Sequence, residues 1–214
     1  TNAITGVGFQ PDWIWFKNRT SAQSHAIVDS VRGRKGLQSN ATDAEYTLAS
    51  GKDFGTFDSD GFTVLTPQQL NSFNYNTGSI VSWNWKAGTS FSNSSGSNGA
   101  NLDSAGSVST DAGFSIVSFT GNRSTTRNIY HGLGAVPKMI IFKNRDTTNG
   151  WTIYNEAIGN ANKLTLNGTN ASGACTACFA STTPTSTLFT VGDDSDTNGT
   201  SNNMIAYCFA DVQG

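Results

Sequence analysis

The chain has 214 residues, of which 13% are charged and 11% aromatic, and its formal net charge is −2. So small a charge excludes a protein that neutralises nucleic-acid phosphates and a polybasic membrane-surface protein. The aromatics and recurring apolar runs exclude disorder, and no apolar stretch approaches the roughly 18–20 residues that span a bilayer. Polarity comes instead from Asn, Thr, Ser and Gly, as in extracellular or virion β proteins with many turns.

In chain order, short β-branched and aromatic runs bounded by turn formers predict strands. They fall at Trp13–Lys17, Ala26–Asp29, Phe62–Leu65 and Ser79–Lys86, then at Phe114–Thr120, Lys138–Lys143, Thr152–Asn155, Lys163–Leu166, Thr187–Val191 and Met204–Phe209. Asp60-Gly61 between Phe57 and Phe62, and Asn167-Gly168 after Leu164–Leu166, tolerate the positive φ of tight hairpin turns. Pro67–Ser72 has room for one helical turn at most, and no segment carries apolar residues at helical spacing across three turns. The expected fold is all-β.

The chain also repeats itself. Pro11-Asp-Trp-Ile-Trp-Phe-Lys-Asn-Arg19 returns 126 residues later as Pro137-Lys-Met-Ile-Ile-Phe-Lys-Asn-Arg145. Ala26-Ile-Val28 matches Thr152-Ile-Tyr154, Phe62-Thr-Val64 matches Phe189-Thr-Val191, and Val81-Ser-Trp-Asn-Trp85 matches Ile205-Ala-Tyr-Cys-Phe209. An internal repeat marks one structural unit used twice, a pattern suited to multivalent binding. The expected organisation is a first antiparallel β-sandwich at 1–88, a Ser/Gly/Asn-rich linker at 89–112 and a second sandwich at 113–214. The first repeat has no counterpart of Phe114–Thr120, so it lacks a strand and exposes an edge. Either the chain is a fragment of a longer protein, the favoured reading, or a neighbouring chain supplies that strand.

Gly113-Phe-Ser-Ile-Val-Ser-Phe-Thr-Gly-Asn122, His131-Gly-Leu-Gly134 and Pro137–Arg145 resemble a tandem module of tail-fibre and virion-surface proteins of tailed, particularly marine, bacteriophages. Trp151–Tyr154, Leu164–Asn167, Pro184–Gly192 and Ile205–Ala210 fit as well, and Trp83–Gly88 resembles the module's closing strand in the first repeat. Asn84 departs from the Cys more usual there, and Phe179 stands near a position that is often Trp. The resemblance implies lectin-like or jelly-roll-like sandwiches on a virion surface, outside the cell. It implies a homotrimer or higher assembly, contacts with other virion proteins, and non-enzymatic attachment to a host-surface glycan. The alternatives are a purely structural subunit, such as a capsid decoration or filament-building protein, and a secreted polysaccharide-active enzyme.

No catalytic set emerges from the residues. The histidines are His25 and His131, there is no Gly-x-Ser-x-Gly elbow, and Glu45 and Glu156 are the only glutamates. His131, in a Gly-rich turn, reads as a partner of backbone groups. Cys175-Thr-Ala-Cys178 has the spacing of a redox or zinc pair, but a second ligand pair and a strand-to-helix context are missing, and Cys208 reads as a core residue. No cofactor is expected. Asp58, Asp60, Asp193, Asp194 and Asp196 have oxygen spacing that suits calcium, with turn chemistry the stronger reading. Trp13, Trp15, Trp83 and Trp85 alternate and read as core, since Met139, Ile141, Tyr207 and Phe209 replace them. The glycan-binding candidates are Trp151, Tyr154 and Asn155, beside the polar loop 146–150, together with His25, the counterpart of Trp151.

Overall fold

The computed structural model describes residues 1–67 and 72–212, so the short helical turn expected within Pro67–Ser72 lies mostly outside the described residues. The chain is 43% strand and 3% helix, which leaves strand pairing and sheet contact to hold it together. The first half contributes β1 (Asn2–Thr5), β2 (Trp13–Asn18), β3 (Ala26–Asp29), β4 (Lys35–Gln38), β5 (Tyr46–Thr47), β6 (Phe54–Asp58), β7 (Gly61–Val64) and β8 (Ile80–Trp85). Next come β9 (Thr89–Asn93), β10 (Ser104–Ser109), β11 (Phe114–Thr120), β12 (Arg127–Tyr130), β13 (Pro137–Asn144) and β14 (Trp151–Asn155). The chain closes with β15 (Asn162–Thr165), β16 (Gly173–Ala174), β17 (Leu188–Val191) and β18 (Asn203–Ala210), with one short helix, α1 (Ser195–Asn198), before the last strand. All ten strands expected from the sequence are present.

The strands form four antiparallel sheets, ordered β1-β7-β6, β5-β4-β3-β2-β8, β16-β15-β14-β13-β18-β11-β10-β9 and β12-β17. The order β4-β3-β2-β8 reappears as β15-β14-β13-β18, and the registers coincide with the sequence repeat. Trp13 faces Trp85 and Trp15 faces Trp83, as Met139 faces Phe209 and Ile141 faces Tyr207. Ile4 faces Phe62, as Ile129 faces Phe189. The Asp60-Gly61 hairpin forms as expected, pairing Phe57 with Phe62, and a Cβ on Gly61 (φ +152°) would lie 1.9 Å from the Ile4 carbonyl oxygen. Asn167-Gly168 instead sits in a wider connection between β15 and β16, where the Asn167 side chain accepts from the Trp151 amide at 2.8 Å.

Residues 89–112, expected as a linker, carry β9 and β10, which add to β11 and extend the large sheet. The signal was hidden because the packing positions are filled by small residues. Gly106 lies so close to β11 that a Cβ there would sit 1.8 Å from the Ile116 carbonyl oxygen.

Three apolar clusters separate the sheets. Ile14, Phe16, Ala26 and Val28 meet Phe54, Phe62 and Val64, between the five-stranded and three-stranded sheets. Ile140, Phe142, Tyr154 and Cys208 meet Ile129, Phe189 and Val191, between the large and two-stranded sheets. Between these two clusters, Trp13, Ile27 and Leu37 of the first half pack on Phe114, Ile116, Ile141, Trp151, Ile153 and Tyr207 of the second. No helix among the described residues is long and apolar enough to cross a membrane.

Candidate functional site

Alternation along β2 sends Ile14 and Phe16 to one side and Trp13 and Trp15 to the other. The tryptophan side is the one that meets the second half. Trp13 is 1% exposed, with ring centroids of Trp85 at 4.6 Å, Tyr207 at 5.0 Å and Phe114 at 5.8 Å. Exposure rises toward the rim: Trp15 is half-buried and Trp83 is 47% exposed. Trp83 stands edge-on to Trp15 at 6.1 Å, and His25 lies 6.3 Å from Trp15 on its other side. Partial burial, then the nearby Lys17, holds the His25 pKa below its ordinary value, so the imidazole is neutral at pH 7. His25, Trp15 and Trp83 therefore make an uncharged aromatic shelf, chemically suited to the apolar face of a sugar ring or another aromatic.

The centre of the same contact holds a buried charge network. Asp29 ends β3 with its side chain fully buried. It accepts from Arg32 Nε at 2.5 Å, from the Arg32 amide at 2.8 Å and from the Tyr207 hydroxyl at 2.7 Å. Arg32 Nη1 donates to Glu45 at 3.1 Å, and Arg145 grips the same carboxylate from the second half with Nε at 2.8 Å and Nη2 at 3.1 Å. The Glu45 amide also donates to the Arg145 carbonyl at 2.7 Å. Burial opposes the Glu45 charge, but Arg145 and Arg32 outweigh it and hold its pKa below the usual carboxylate range. Burial likewise opposes the Arg32 charge, and Asp29 and Glu45 overcome it.

Lys143 reinforces the join. Its buried Nζ donates to the carbonyls of Thr42 at 3.0 Å, Thr147 at 3.3 Å and Asn149 at 2.7 Å, which satisfies all three ammonium protons. Burial, partly offset by Asp196 and Asp43, lowers its pKa to about 8.

The structure corrects two of the glycan candidates. Trp151 is 0% exposed and donates from Nε1 to the Gln38 carbonyl at 2.9 Å, between the halves. Tyr154 is 2% exposed, on the opposite face of β14 against Phe179 at 5.5 Å. Both faces of β14 are covered because its sheet lies between two others, and the polar loop before it supplies carbonyls to Lys143 rather than to a ligand. Asn155 caps the 3-10 turn Glu156–Ile158, accepting from the Ala157 amide at 3.0 Å. Of the four candidates, His25 alone reaches the aromatic rim. Trp83 was missed because the apolar character of Tyr207 at the matching position pointed to core. Arg145 had a visible signal, as the last residue of the repeated Lys-Asn-Arg motif.

The remaining candidates are engaged by the protein itself. Asp60 accepts from the Gly6 and Gly8 amides at 3.0 and 2.7 Å, which lowers its pKa, and Asp58 accepts from Thr56 and Thr63. Asp193 pairs with Arg123 at 2.6 Å, Asp194 caps α1, and Asp196 takes Asn149 at 2.7 Å and Lys163 at 3.2 Å. Cys175 and Cys178 lie beside Asp194, but the two are joined in a disulfide and offer no thiolates to a metal. Cys208 is buried, and burial pushes its thiol up to about 12. His131 is buried as well. Its Nδ1 accepts from the Leu133 amide at 3.2 Å, its Nε2 lies 3.1 Å from the Thr185 carbonyl, and burial lowers its pKa to about 4. Glu156 pairs with Lys138 at 2.5 Å.

The chain belongs to the family described as Domain of unknown function (DUF7483), whose model matches residues 1–214. No curated protein and no solved structure matches it.

Proposed function

We propose that the chain is a non-enzymatic building module of a bacteriophage virion-surface or tail-fibre protein, made of two β-sandwich repeats joined face to face. The observation that carries this reading is the contact between the halves. Its apolar centre is bridged by the Asp29–Arg32–Glu45–Arg145 network, so each half braces the other as a rigid unit. Rigidity across repeats is what a force-bearing appendage requires. The residues most able to do chemistry, His131, Glu45 and Lys143, are committed to holding the fold. The module assembles as a homotrimer or higher oligomer with other virion proteins, outside the cell. Light scattering and intact mass measurement of the native protein test this: a trimer or larger assembly is expected, and a monomer at about 100 μM protein would sink it.

A second reading, attachment to host-surface glycan, is favoured by the shelf of Trp83, Trp15 and His25. Single sites of this shallow kind are weak, and many copies would supply avidity. A glycan array with the native protein and a Trp83→Ala variant tests it, with the expected signal lost in the variant. Equal signals from both would refute the shelf as the binding site.

A further inference from the structure

In the second half β18 is paired on both sides, by β13 and by β11. Its counterpart β8 is paired by β2 alone, and among the described residues no strand lies along its other edge. The side chains register the difference. Tyr207 on β18 is 0% exposed, while Trp83 at the matching position of β8 is 47% exposed.

What β11 brings to β18 defines what β8 lacks. Val117 faces Ala206 and Phe119 faces Met204, both pointing into the core of the second half, with Phe119 edge-on to Phe189 at 6.0 Å. The matching positions in the first half are Ser82, Ile80 and Phe62. These three, with Phe16, Phe73 and Ile4, line a cavity of about 400 Å³. The cavity thus opens where Val117 and Phe119 would lie if the second half were superimposed on the first. Exposed apolar side chains stand on both faces of this edge: Ile4 (40%) and Tyr75 (38%) border the cavity, and Trp83 (47%) lies on the opposite face of β8. Apolar side chains left exposed along an unpaired strand edge suit an added strand.

We propose that the open edge of β8 and this cavity accept a β-strand from a polypeptide segment outside these 214 residues. The strand runs antiparallel to β8. It places an aliphatic residue opposite Ser82 and an aromatic residue opposite Ile80, as Val117 and Phe119 do on β18. On its other face it lays apolar side chains against Trp85 and Trp83, as Phe114 and Ile116 do against Phe209 and Tyr207. Backbone pairing along the edge supplies affinity, and the cavity selects the side chains. Among the described residues no strand lies along this edge, and β11, the strand with the matching pattern, is already paired on both sides, by β10 and β18. Nor does a second copy fit by pairing β8 with β8 about Ser82, because that sets Ser82 opposite Ser82 and Asn84 opposite Ile80, side chains too small and polar to fill the cavity. The inference rests on pairing and packing alone and stands apart from the viral reading.

The test uses the whole protein and a synthetic heptapeptide with the sequence of residues 114–120. Saturable binding is expected, with a blue shift of tryptophan emission and slowed amide exchange at the outer edge of β8. A peptide carrying Phe119→Asp should bind at least tenfold more weakly, and a Ser82→Phe variant of the protein, which fills the cavity, should not bind the native peptide. If binding in trans is too weak to saturate, the heptapeptide is joined ahead of Thr1 through a copy of residues 121–126, the connection that follows β11. Protection of β8 in that variant supports the proposal. Absence of protection in both formats overturns it, as does binding indifferent to both substitutions. Concentration-dependent self-association that protects β8 without peptide also overturns it, in favour of a second copy as the occupant.

Discussion

Replacing Asp29 by Ala tests whether the buried network welds the two halves. Asp29 is fully buried and holds three donors, two from Arg32 and one from Tyr207 across the contact. Removing one partner of a buried ion pair costs about 3–5 kcal/mol, because the other charge stays buried. The Tyr207 hydroxyl loses its acceptor too, which adds about 1–3 kcal/mol. Arg32 keeps Glu45 at 3.1 Å and recovers part of this. The expected loss is therefore about 4 kcal/mol, a large share of the roughly 5–15 kcal/mol that stabilises a typical domain. Urea unfolding followed by far-ultraviolet circular dichroism measures it. The more specific readout is a double-mutant cycle with Tyr207→Phe. Alone, that change removes a hydrogen bond to a charged group, worth about 1.5–3 kcal/mol. In the Asp29→Ala background it should cost almost nothing, so the coupling energy should be about 1.5–3 kcal/mol. A coupling below about 0.5 kcal/mol, the scatter seen for independent sites, would refute the claim that this bond ties the halves together.

Other predictions follow from burial and charge. Trp13→Ala should destabilise by about 3–5 kcal/mol, as expected for a buried Trp, whereas Trp83→Ala should stay within about 0.5 kcal/mol; both are read from urea midpoints. His131 has a folded pKa of about 4 against an ordinary 6.5, so below pH 6.5 the unfolded chain binds a proton that the native protein refuses. Stability should then fall by about 3 kcal/mol as pH drops from 6.5 to about 4, and His131→Asn should remove that slope from a pH series of thermal melts. The Glu45 pKa is depressed, so its contribution is present above its ordinary value of 4.5 and lost as pH falls through the folded value. Acid should therefore weaken the contact between the halves, and a native protein with no further loss of stability below pH 4.5 would contradict this. Reducing the disulfide between Cys175 and Cys178, which closes a very short loop, should cost about 2 kcal/mol by the loop-entropy estimate, measured as the shift in urea midpoint with and without reductant.

Much of the fold was legible because strands announce themselves through bulky alternation. The ten strands read from the sequence are those with aromatic or β-branched runs. Among the missed ones are very short strands, like β5 (Tyr46–Thr47), and strands built from small residues, like β10 (Ser104–Ser109), where closeness of backbones replaces side-chain bulk. The site was less legible, because exposure depends on what lies above a sheet. From β14 alone, Trp151 and Tyr154 look like a surface pair beside a polar loop, and only the sheets on both sides bury them. Trp83 looks like core from its counterpart Tyr207, and it is exposed because, among the described residues, no strand pairs the outer edge of β8.

The repeat itself accounts for the tryptophans. Both halves turn the same stripe toward each other: Trp13, Trp15, Trp85 and Ile27 on one side, Met139, Ile141, Phe209 and Ile153 on the other. Two identical stripes of tryptophan would overfill the space between the sheets, and two stripes of Ile and Met would leave voids. Large residues in one half against smaller ones in the other let the faces interdigitate at interior density. Replacement of Trp13, Trp15 and Trp85 by Met139, Ile141 and Phe209 is thus the signature of a core, one that lies between the two halves. The polar differences fit the same account. Asp29 has Asn155 as its counterpart, and only the aspartate reaches across, to the Tyr207 hydroxyl at 2.7 Å. The two stripes fit as a contact because they differ, and the edge of β8 is open where β11 covers β18.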